Sequence, residues 1–296
     1  MSLTINHNMM AMNASRNLRD SYSSLAVSTR RLSSGLRVSS ASDDAAGLAV
    51  RELMRADISS LQQGIRNAND AISLIQTADG ALGVIDEKLI RMKELAMQAA
   101  TGTYNSDQRL IIDSEFQAMA SEITRIANST DFNGIYLLNG GLSGTHNGSG
   151  LQSTGQLKVH FGTGNDCAED YYYIQISGAT ASALGVGFGA ESSSGAGRSI
   201  STQALAQQTL DVLNNAIISK DKIRANLGAL QNRLENTVTV LEIQAENVQA
   251  AESRISDVDV ATEMTEFIRQ QIKTQSAVAM LSQANSLPRM ALQLLG

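Results

Sequence analysis

The side chains best suited to chemistry are few in this sequence and widely spread. It contains three histidines and a single cysteine, Cys167. A zinc site needs Cys and His at characteristic short spacings, and a nucleophilic cysteine needs a histidine to activate it. No spacing in the chain matches a zinc site, a Cys/His pair or a HExxH helix. We therefore predict that the protein is not an enzyme and uses no metal or cofactor.

Two further motifs resemble known sites only in part. The stretch GVGFGA, residues 185–190, contains a GxGxxG-like pattern, but no parallel strand is predicted before it and no helix with an acidic partner after it. Asp43 and Asp44 could serve as a metal or acid/base pair. They also stand where a helix is predicted to begin, so we predict that Ser42 caps this helix and that both aspartates lie in its first turn.

The composition favours long helices that pack side by side. The 296 residues include no tryptophan, 4% aromatic residues and one proline, so the core must consist of aliphatic and Met side chains. The formal net charge of -6 argues against nucleic acid and anionic membranes as main partners. No run of 18 apolar residues and no Sec-type signal occurs. We expect neither membrane insertion nor Sec export.

Apolar residues recur at alternating intervals of three and four along both ends of the chain, which is typical of helices that pack on helices. The first stripe consists of Leu18, Tyr22, Leu25, Leu32 and Leu36. A second extends over about 40 residues from Ile58 to Ala99, and a third from Ile112 to Ile126. In the final third of the chain, apolar residues recur at intervals of seven, at Leu227, Leu234, Leu241, Val248 and Ile255. A last stripe contains Met264, Phe267, Ile268, Val278 and Leu281, with Gln271 and Thr274 between them.

The middle of the chain has the pattern of strands. Leu157, Val159 and Phe161 alternate with polar residues, and Tyr172, Ile174 and Ile176 do so after a Gly- and Asp-containing segment. We predict a mainly α protein, in which both chain ends form a long antiparallel coiled coil or helical bundle around a small central β-hairpin.

Several segments resemble bacterial flagellins, and they follow one another in flagellin order. They are RLSSGLRVSSASDDAAGLAVRELMRADI, IQTADGALGVIDEKLIRMKELAMQAATGTYNSDQR, IANSTDFNG, ANLGALQNRLENTV and SRISDVDVATEMTEFIRQQIKTQSAVAMLSQANSLPRMALQLL. The resemblance covers roughly three quarters of the chain and is absent from residues 140–198. It implies a short flagellin that lacks large outer domains.

The resemblance also implies a division of the chain. Residues 1–43 would form the N-terminal part of an inner-tube domain and a spoke, and residues 256–296 its C-terminal part. Between them, a shaft domain would comprise helices in 44–135, a hairpin with variable loops in 136–198 and a helix in 199–255. The implied inner-tube packing residues are Leu18, Tyr22, Leu25, Leu32, Leu36, Met264, Phe267, Ile268, Val278 and Leu281.

By the same resemblance, the protein is a secreted, extracellular structural subunit that polymerises into the flagellar filament and transmits motor torque. Its partners would be other copies of itself, the flagellar type III export apparatus with an export chaperone, the hook-associated junction and cap proteins, and a host Toll-like receptor. The receptor would recognise Arg91, Leu95 and Glu115. Surface loops that could carry a glycan include Ser143, Thr145, Ser149, Ser153 and Thr154.

Two other classes stay open at this point. A hook-filament junction protein shares the terminal resemblance but diverges through the shaft segments, whereas a coiled-coil adaptor outside any filament needs neither export nor polymerising ends. Filament formation by the purified chain separates these alternatives from a flagellin.

Overall fold

The chain folds into five helices and two short antiparallel strand pairs within the residues that the computed structural model describes, which are 8–142, 155–166, 169–187 and 197–295. In chain order the elements are α1 (Met9–Ser34), α2 (Ala45–Ala100), α3 (Ser106–Ser129), β1 (Asp131–Phe132), β2 (Ile135–Tyr136), β3 (Leu157–His160), β4 (Tyr171–Ile174), α4 (Gln203–Ser256) and α5 (Val260–Leu295). The predicted mainly α fold with a small hairpin is confirmed. Among the described helices, none has a stretch long and apolar enough to cross a membrane.

The chain divides into two compact units. Unit 1 comprises Met1–Ile58 and Glu246–Gly296, and therefore contains both chain ends. Unit 2 comprises Ser59–Ala245. Helices α2 and α4 each contribute residues to both units.

Unit 2 has a continuous hydrophobic core supplied by α2, α3 and α4. The predicted stripes supply it: Leu82, Ile85 and Leu89 of α2 are fully buried, as are Phe116 and Ile123 of α3. Three consecutive members of the heptad in α4 are also buried, namely Leu227, Leu234 and Leu241. A buried aliphatic side chain contributes about 1.5–3 kcal/mol, so burial of these side chains favours the folded state of unit 2.

A capping box fixes the beginning of α3. The side chain of Asn105 accepts a hydrogen bond of 2.8 Å from the amide of Gln108, and the Gln108 side chain accepts one of 3.1 Å from the amide of Asn105. Two orphan donors at the helix start are thereby satisfied. The short segment between α2 and α3 thus ends in a defined turn.

Both strand pairs of the middle region are antiparallel hairpins. Strands β3 and β4 pair Leu157 with Ile174 and Val159 with Tyr172, which confirms the predicted hairpin. The pair β1 and β2 was not predicted. Its signal was the dipeptide Asn133-Gly134, whose φ angles of 52° and 79° are typical of the tight turn that joins two strands.

Candidate functional site

The two chain ends meet as an antiparallel pair of helices in unit 1. The side chain of Asn8 caps α1 by accepting a hydrogen bond from the amide of Ala11, and its Nδ2 donates to the carbonyl of Ala284 over 2.8 Å. At the other end of the pair, Arg31 of α1 lies 3.6 Å from the carboxylate of Glu263 on α5. Helices α1 and α5 therefore run alongside each other over most of the length of α1.

The most deeply buried positions of the seam between α1 and α5 hold mainly small or polar side chains. The buried residues include Ser28 on α1 and Glu263, Gln270 and Thr274 on α5. Thr274 is satisfied locally, because its hydroxyl donates to the carbonyl of Gln270 over 2.7 Å. A seam of this kind removes little apolar surface from water.

Unit 1 contains almost no hydrophobic core of its own. Among its side chains within the described part of the chain, the buried hydrophobic ones are Val38 and Ala284. Large apolar side chains instead remain exposed on this unit: Met9, Met10, Met12, Tyr22, Val50, Leu53, Val260, Met264, Ile268, Ile272, Val278, Met280 and Met290. The distribution is the reverse of that in a self-contained domain, where such residues lie inside.

The exposed apolar residues of α5 form a stripe away from the seam. Val260, Met264, Ile268 and Ile272 follow at intervals of four and are 42–60% exposed. Since successive residues of a helix are rotated by about 100°, Ile272 points away from both Gln270 and Thr274. The chain thus presents a hydrophobic surface that it does not cover itself.

The predicted inner-tube residues are distributed over two faces in the single chain. Leu18, Leu25, Leu32, Leu36, Phe267 and Leu281 are half-buried, whereas Tyr22, Met264, Ile268 and Val278 are exposed. The second group is therefore not covered by a helix of the same chain. Gln271 is likewise exposed, and Gln270 takes the predicted place in the seam. The packing of these ten residues in a tube stays a prediction.

The Ser- and Gly-rich link between α1 and α2, residues 35–44, is ordered by hydrogen bonds. Gly35 ends α1 in the left-handed conformation with φ 72°, which only glycine adopts without strain. The carbonyl of Gly35 accepts from the amide of Val258 over 3.0 Å, and the amide of Arg37 donates to the carbonyl of Ser256 over 2.7 Å. The link is thereby attached to the junction between α4 and α5.

Asp43 organises the remainder of the link. Its Oδ2 accepts hydrogen bonds from the hydroxyl and amide of Ser40 over 2.9 and 3.1 Å and from the hydroxyl and amide of Ser39 over 3.2 and 3.3 Å. Its Oδ1 lies 2.7 Å from the guanidinium of Arg30. These contacts give Ser39 and Ser40 a structural role, because their hydroxyls and amides all donate to the same carboxylate.

The start of α2 differs from the prediction. The cap is Asp44, whose side chain accepts from the amide of Gly47 over 2.9 Å, and the helix begins at Ala45. Ser42 instead forms a hydrogen bond of 2.8 Å with the hydroxyl of Ser40. Asp43 accepts the hydrogen bonds of the preceding turn instead. The cap therefore lies at Asp44, two residues after the predicted Ser42.

The pKa of Asp43 makes the link sensitive to acid. The hydroxyl of Ser40 is the main cause that lowers this pKa below 3.8, against the effect of burial, and the amides of Ser39 and Ser40 lower it further. A carboxylate whose pKa is lowered by folding stabilises the folded chain at a pH above its ordinary pKa. This stabilisation is lost as the pH falls through the pKa in the folded chain.

We therefore predict faster hydrogen exchange at the Ser39 and Ser40 amides of the variant Asp43→Asn at neutral pH. In the wild type, the intrinsic-rate-corrected protection of both amides should fall below pH 3.8. Unchanged protection in both tests would contradict this role.

The three residues predicted to meet an innate receptor have different surroundings. Arg91 on α2 forms hydrogen bonds of 3.1 and 2.9 Å with Glu115 on α3 and an ion pair of 2.9 Å with Glu94. Arg91 is exposed and Glu115 is half-buried, but Leu95 is only 1% exposed. The expectation that Leu95 offers a contact surface beside Arg91 is therefore wrong, because this side chain belongs to the core of unit 2.

The remaining predicted sites are placed as follows. Ser143, Thr145, Ser149, Ser153, Thr154 and Cys167 lie outside the described residues. In the described ranges, no three His, Cys, Asp or Glu side chains come together in an arrangement that could hold a metal ion. Of GVGFGA, residues 185–187 are described, and Gly185 is the last residue of a turn.

Comparisons with known proteins agree on one family. Residues 5–142 match the bacterial flagellin N-terminal helical region, and residues 210–295 match the bacterial flagellin C-terminal helical region. A flagellin of Halalkalibacterium halodurans is 41% identical, and flagellin FlaB1 of Treponema pallidum is 40% identical; each alignment covers 99% of this chain and 100% of the relative. The flagellar filament 33 kDa core protein of Treponema phagedenis is 41% identical with the same coverage. The chain therefore belongs to the bacterial flagellin family.

Proposed function

We propose that this protein is the structural subunit of an extracellular bacterial flagellar filament, in which it polymerises with copies of itself and transmits motor torque. The observation that carries the proposal is the composition of unit 1, whose most buried seam residues are mainly polar and which leaves many large apolar side chains exposed. Copies of the chain that pack on one another bury these side chains. The match to a flagellar filament core protein over its whole length supports the same role.

The mechanism is assembly rather than catalysis. Helices α1 and α5 supply the association surface, and the link at residues 35–44 holds the ends of α1 and α5 at a fixed junction through its hydrogen bonds to residues 255–258. Unit 2 contributes a rigid body, because its core is continuous. Torque passes along such a polymer through contacts between rigid subunits.

The proposal includes the other partners that the family implies. The chain leaves the cell through the flagellar type III export apparatus with an export chaperone and polymerises at the distal tip beneath a cap. Junction proteins join the filament to the hook. A hook-filament junction protein is disfavoured by the flagellin match in residues 59–142 and 210–245, which lie in unit 2. A coiled-coil adaptor gives no reason for the exposed apolar stripe on α5.

Polymerisation of the purified chain tests the proposal. Monomers added to short filament seeds are expected to extend them, and electron microscopy measures the length against time. A junction protein would bind at the seed end and stop, and an adaptor would not bind. Either of these results would contradict the proposed role.

Recognition by a host Toll-like receptor is a separate proposal, supported by the partly exposed pair of Arg91 and Glu115. In a reporter-cell assay with monomer, we expect the double variant Arg91→Ala, Glu115→Ala to signal at least about tenfold more weakly, a loss of about 1.4 kcal/mol in binding. The variant Arg125→Ala, in another exposed ion pair on α3, is the control. Equal signalling from the wild type and the double variant would remove the claim.

A further inference from the structure

Methionines are concentrated on the surface of unit 1. Six of them are exposed by 42–62%: Met9, Met10 and Met12 on α1, and Met264, Met280 and Met290 on α5. By contrast, Met92 of unit 2 is fully buried and Met97 is the exposed methionine of that unit within the described residues. The same apolar surface that the proposed assembly buries is therefore rich in thioethers.

Five of the six methionines lie toward one end of the helix pair. The hydrogen bond from Asn8 to Ala284 brings the first turn of α1, with Met9, Met10 and Met12, beside the part of α5 that contains Met280 and Met290. Next to them, a groove of about 770 Å³ is lined by Met12, Arg16, Arg19 and Leu281, among others. Oxidants that diffuse in water have direct access to these sulfurs in the free chain.

We propose that these six methionines are an oxidation site that controls assembly, an inference that rests on the proposed polymerisation. A peroxide transfers one oxygen atom to the thioether sulfur: its O–O bond breaks, an S–O bond forms, and water or an alcohol leaves. The methionine is oxidised by two electrons and the peroxide is reduced. The product, methionine sulfoxide, is polar and can be reduced again by methionine sulfoxide reductases.

The physical consequence follows from the surface that carries these residues. Apolar thioethers adapt to irregular partner surfaces and favour burial, whereas a sulfoxide oxygen buried without a hydrogen-bond donor is unfavourable. An oxidised free chain is therefore excluded from the polymer. In the assembled state the same sulfurs are covered by neighbouring copies and are protected from the oxidant.

Seeded growth after peroxide treatment tests the inference. Monomer is treated with hydrogen peroxide, freed of it and added to untreated seeds. The growth rate is expected to fall at least about tenfold, the effect of about 1.4 kcal/mol at the interface, and to recover after treatment with methionine sulfoxide reductases. A variant with Leu at all six positions, a volume-conserving change, is expected to retain growth after peroxide. Met97→Leu is the matched control and is expected to stay sensitive.

Mass spectrometry of each methionine gives a readout that does not depend on the variants. The six residues are expected to become oxidised in the free chain and to be protected in filaments, with Met92 protected in both. Equal oxidation of the six in free chain and filament overturns the inference, as does wild-type growth of the oxidised chain or undiminished sensitivity of the Leu variant. Failure of the untreated wild-type chain to extend seeds overturns the proposed polymerisation instead.

Discussion

Removal of residues 256–296 is expected to abolish filament growth while unit 2 stays folded. The deletion takes away α5, which carries the stripe from Val260 to Ile272, and leaves α1 without its partner. The core of unit 2 is built from residues 61–241 and is not touched. Seeded growth measures the first effect, and cooperative thermal unfolding of the truncated chain measures the second. Long filaments from the truncated chain would contradict the role of the paired ends.

A single substitution gives a sharper version of this test. Ile272 is 56% exposed on the side of α5 away from the seam. Ile272→Asp places a charge where the proposed assembly buries a hydrocarbon, so the critical concentration is expected to rise by about 100-fold, the effect of about 2.8 kcal/mol at one interface position. Gln271→Asp is the control, because it introduces the same side chain at the adjacent exposed position of the same helix. Equal critical concentrations for both variants would contradict burial of this stripe.

Lys220→Ala is expected to lower the free energy of unfolding of unit 2 by about 1–3 kcal/mol, the cost of leaving a hydrogen-bonded group without its partner. Lys220 on α4 is 2% exposed, and its Nζ lies 2.6 Å from Asp86 of α2 and 2.7 Å from Asp221. The substitution leaves the Asp86 carboxylate without its cation and creates a cavity in the contact between α2 and α4. Chemical denaturation measures the change.

A control variant and the pH dependence of unfolding separate the effect of the charge from other effects of this substitution. Lys222→Ala, at an exposed position two residues away, is expected to change the free energy of unfolding by less than about 0.5 kcal/mol. Burial lowers the pKa of Lys220, but the carboxylates of Asp221 and Asp86 outweigh it and raise the pKa above 10.5. The pair therefore contributes fully below pH 10.5 and loses its contribution as the pH rises through the raised pKa. A small effect of Lys220→Ala at neutral pH would contradict a stabilising pair.

The sequence was sufficient to predict the helices of unit 2 because their core follows a strict helical period. The heptad through Leu227, Leu234 and Leu241 and the stripe through Phe116 lie in the core as expected. Alternation also predicted the hairpin of β3 and β4, in which Val159 pairs with Tyr172. In each case the buried side chains are large and apolar, so hydropathy and burial coincide.

The same reasoning failed where burial follows size and not hydropathy. In unit 1 the helix seam selects Ser28, Gln270 and Thr274, which pack closely because they are small or form local hydrogen bonds. The larger Tyr22 and Met264 are exposed in the single chain. Hydrophobic periodicity identified those residues as apolar, but it could not distinguish a partner within the chain from a partner on another copy.

In the link at residues 35–44, a helix cap was predicted correctly but was assigned to the wrong residue. The sequence placed the helix cap at Ser42, whereas the geometry uses Asp44 for the cap and Asp43 for the preceding turn. Adjacent Ser and Asp residues can all cap a helix, and their propensities are similar. The contacts of Asp43 with Arg30 and Ser39 decide between them, and these contacts depend on the folded chain.

Hydrogen exchange in the free chain and in the filament tests the central claim most directly, namely that unit 1 obtains its apolar burial from neighbouring copies. Ordering a residue costs about 1–2 kcal/mol of backbone entropy, and the buried hydrophobic side chains described in unit 1 are Val38 and Ala284. Amides of α1 and α5 are therefore expected to exchange rapidly in the free chain and to become strongly protected on assembly, while those around Leu227 and Leu234 are protected in both states. Terminal amides that are as well protected in the free chain as those of unit 2 would contradict this account.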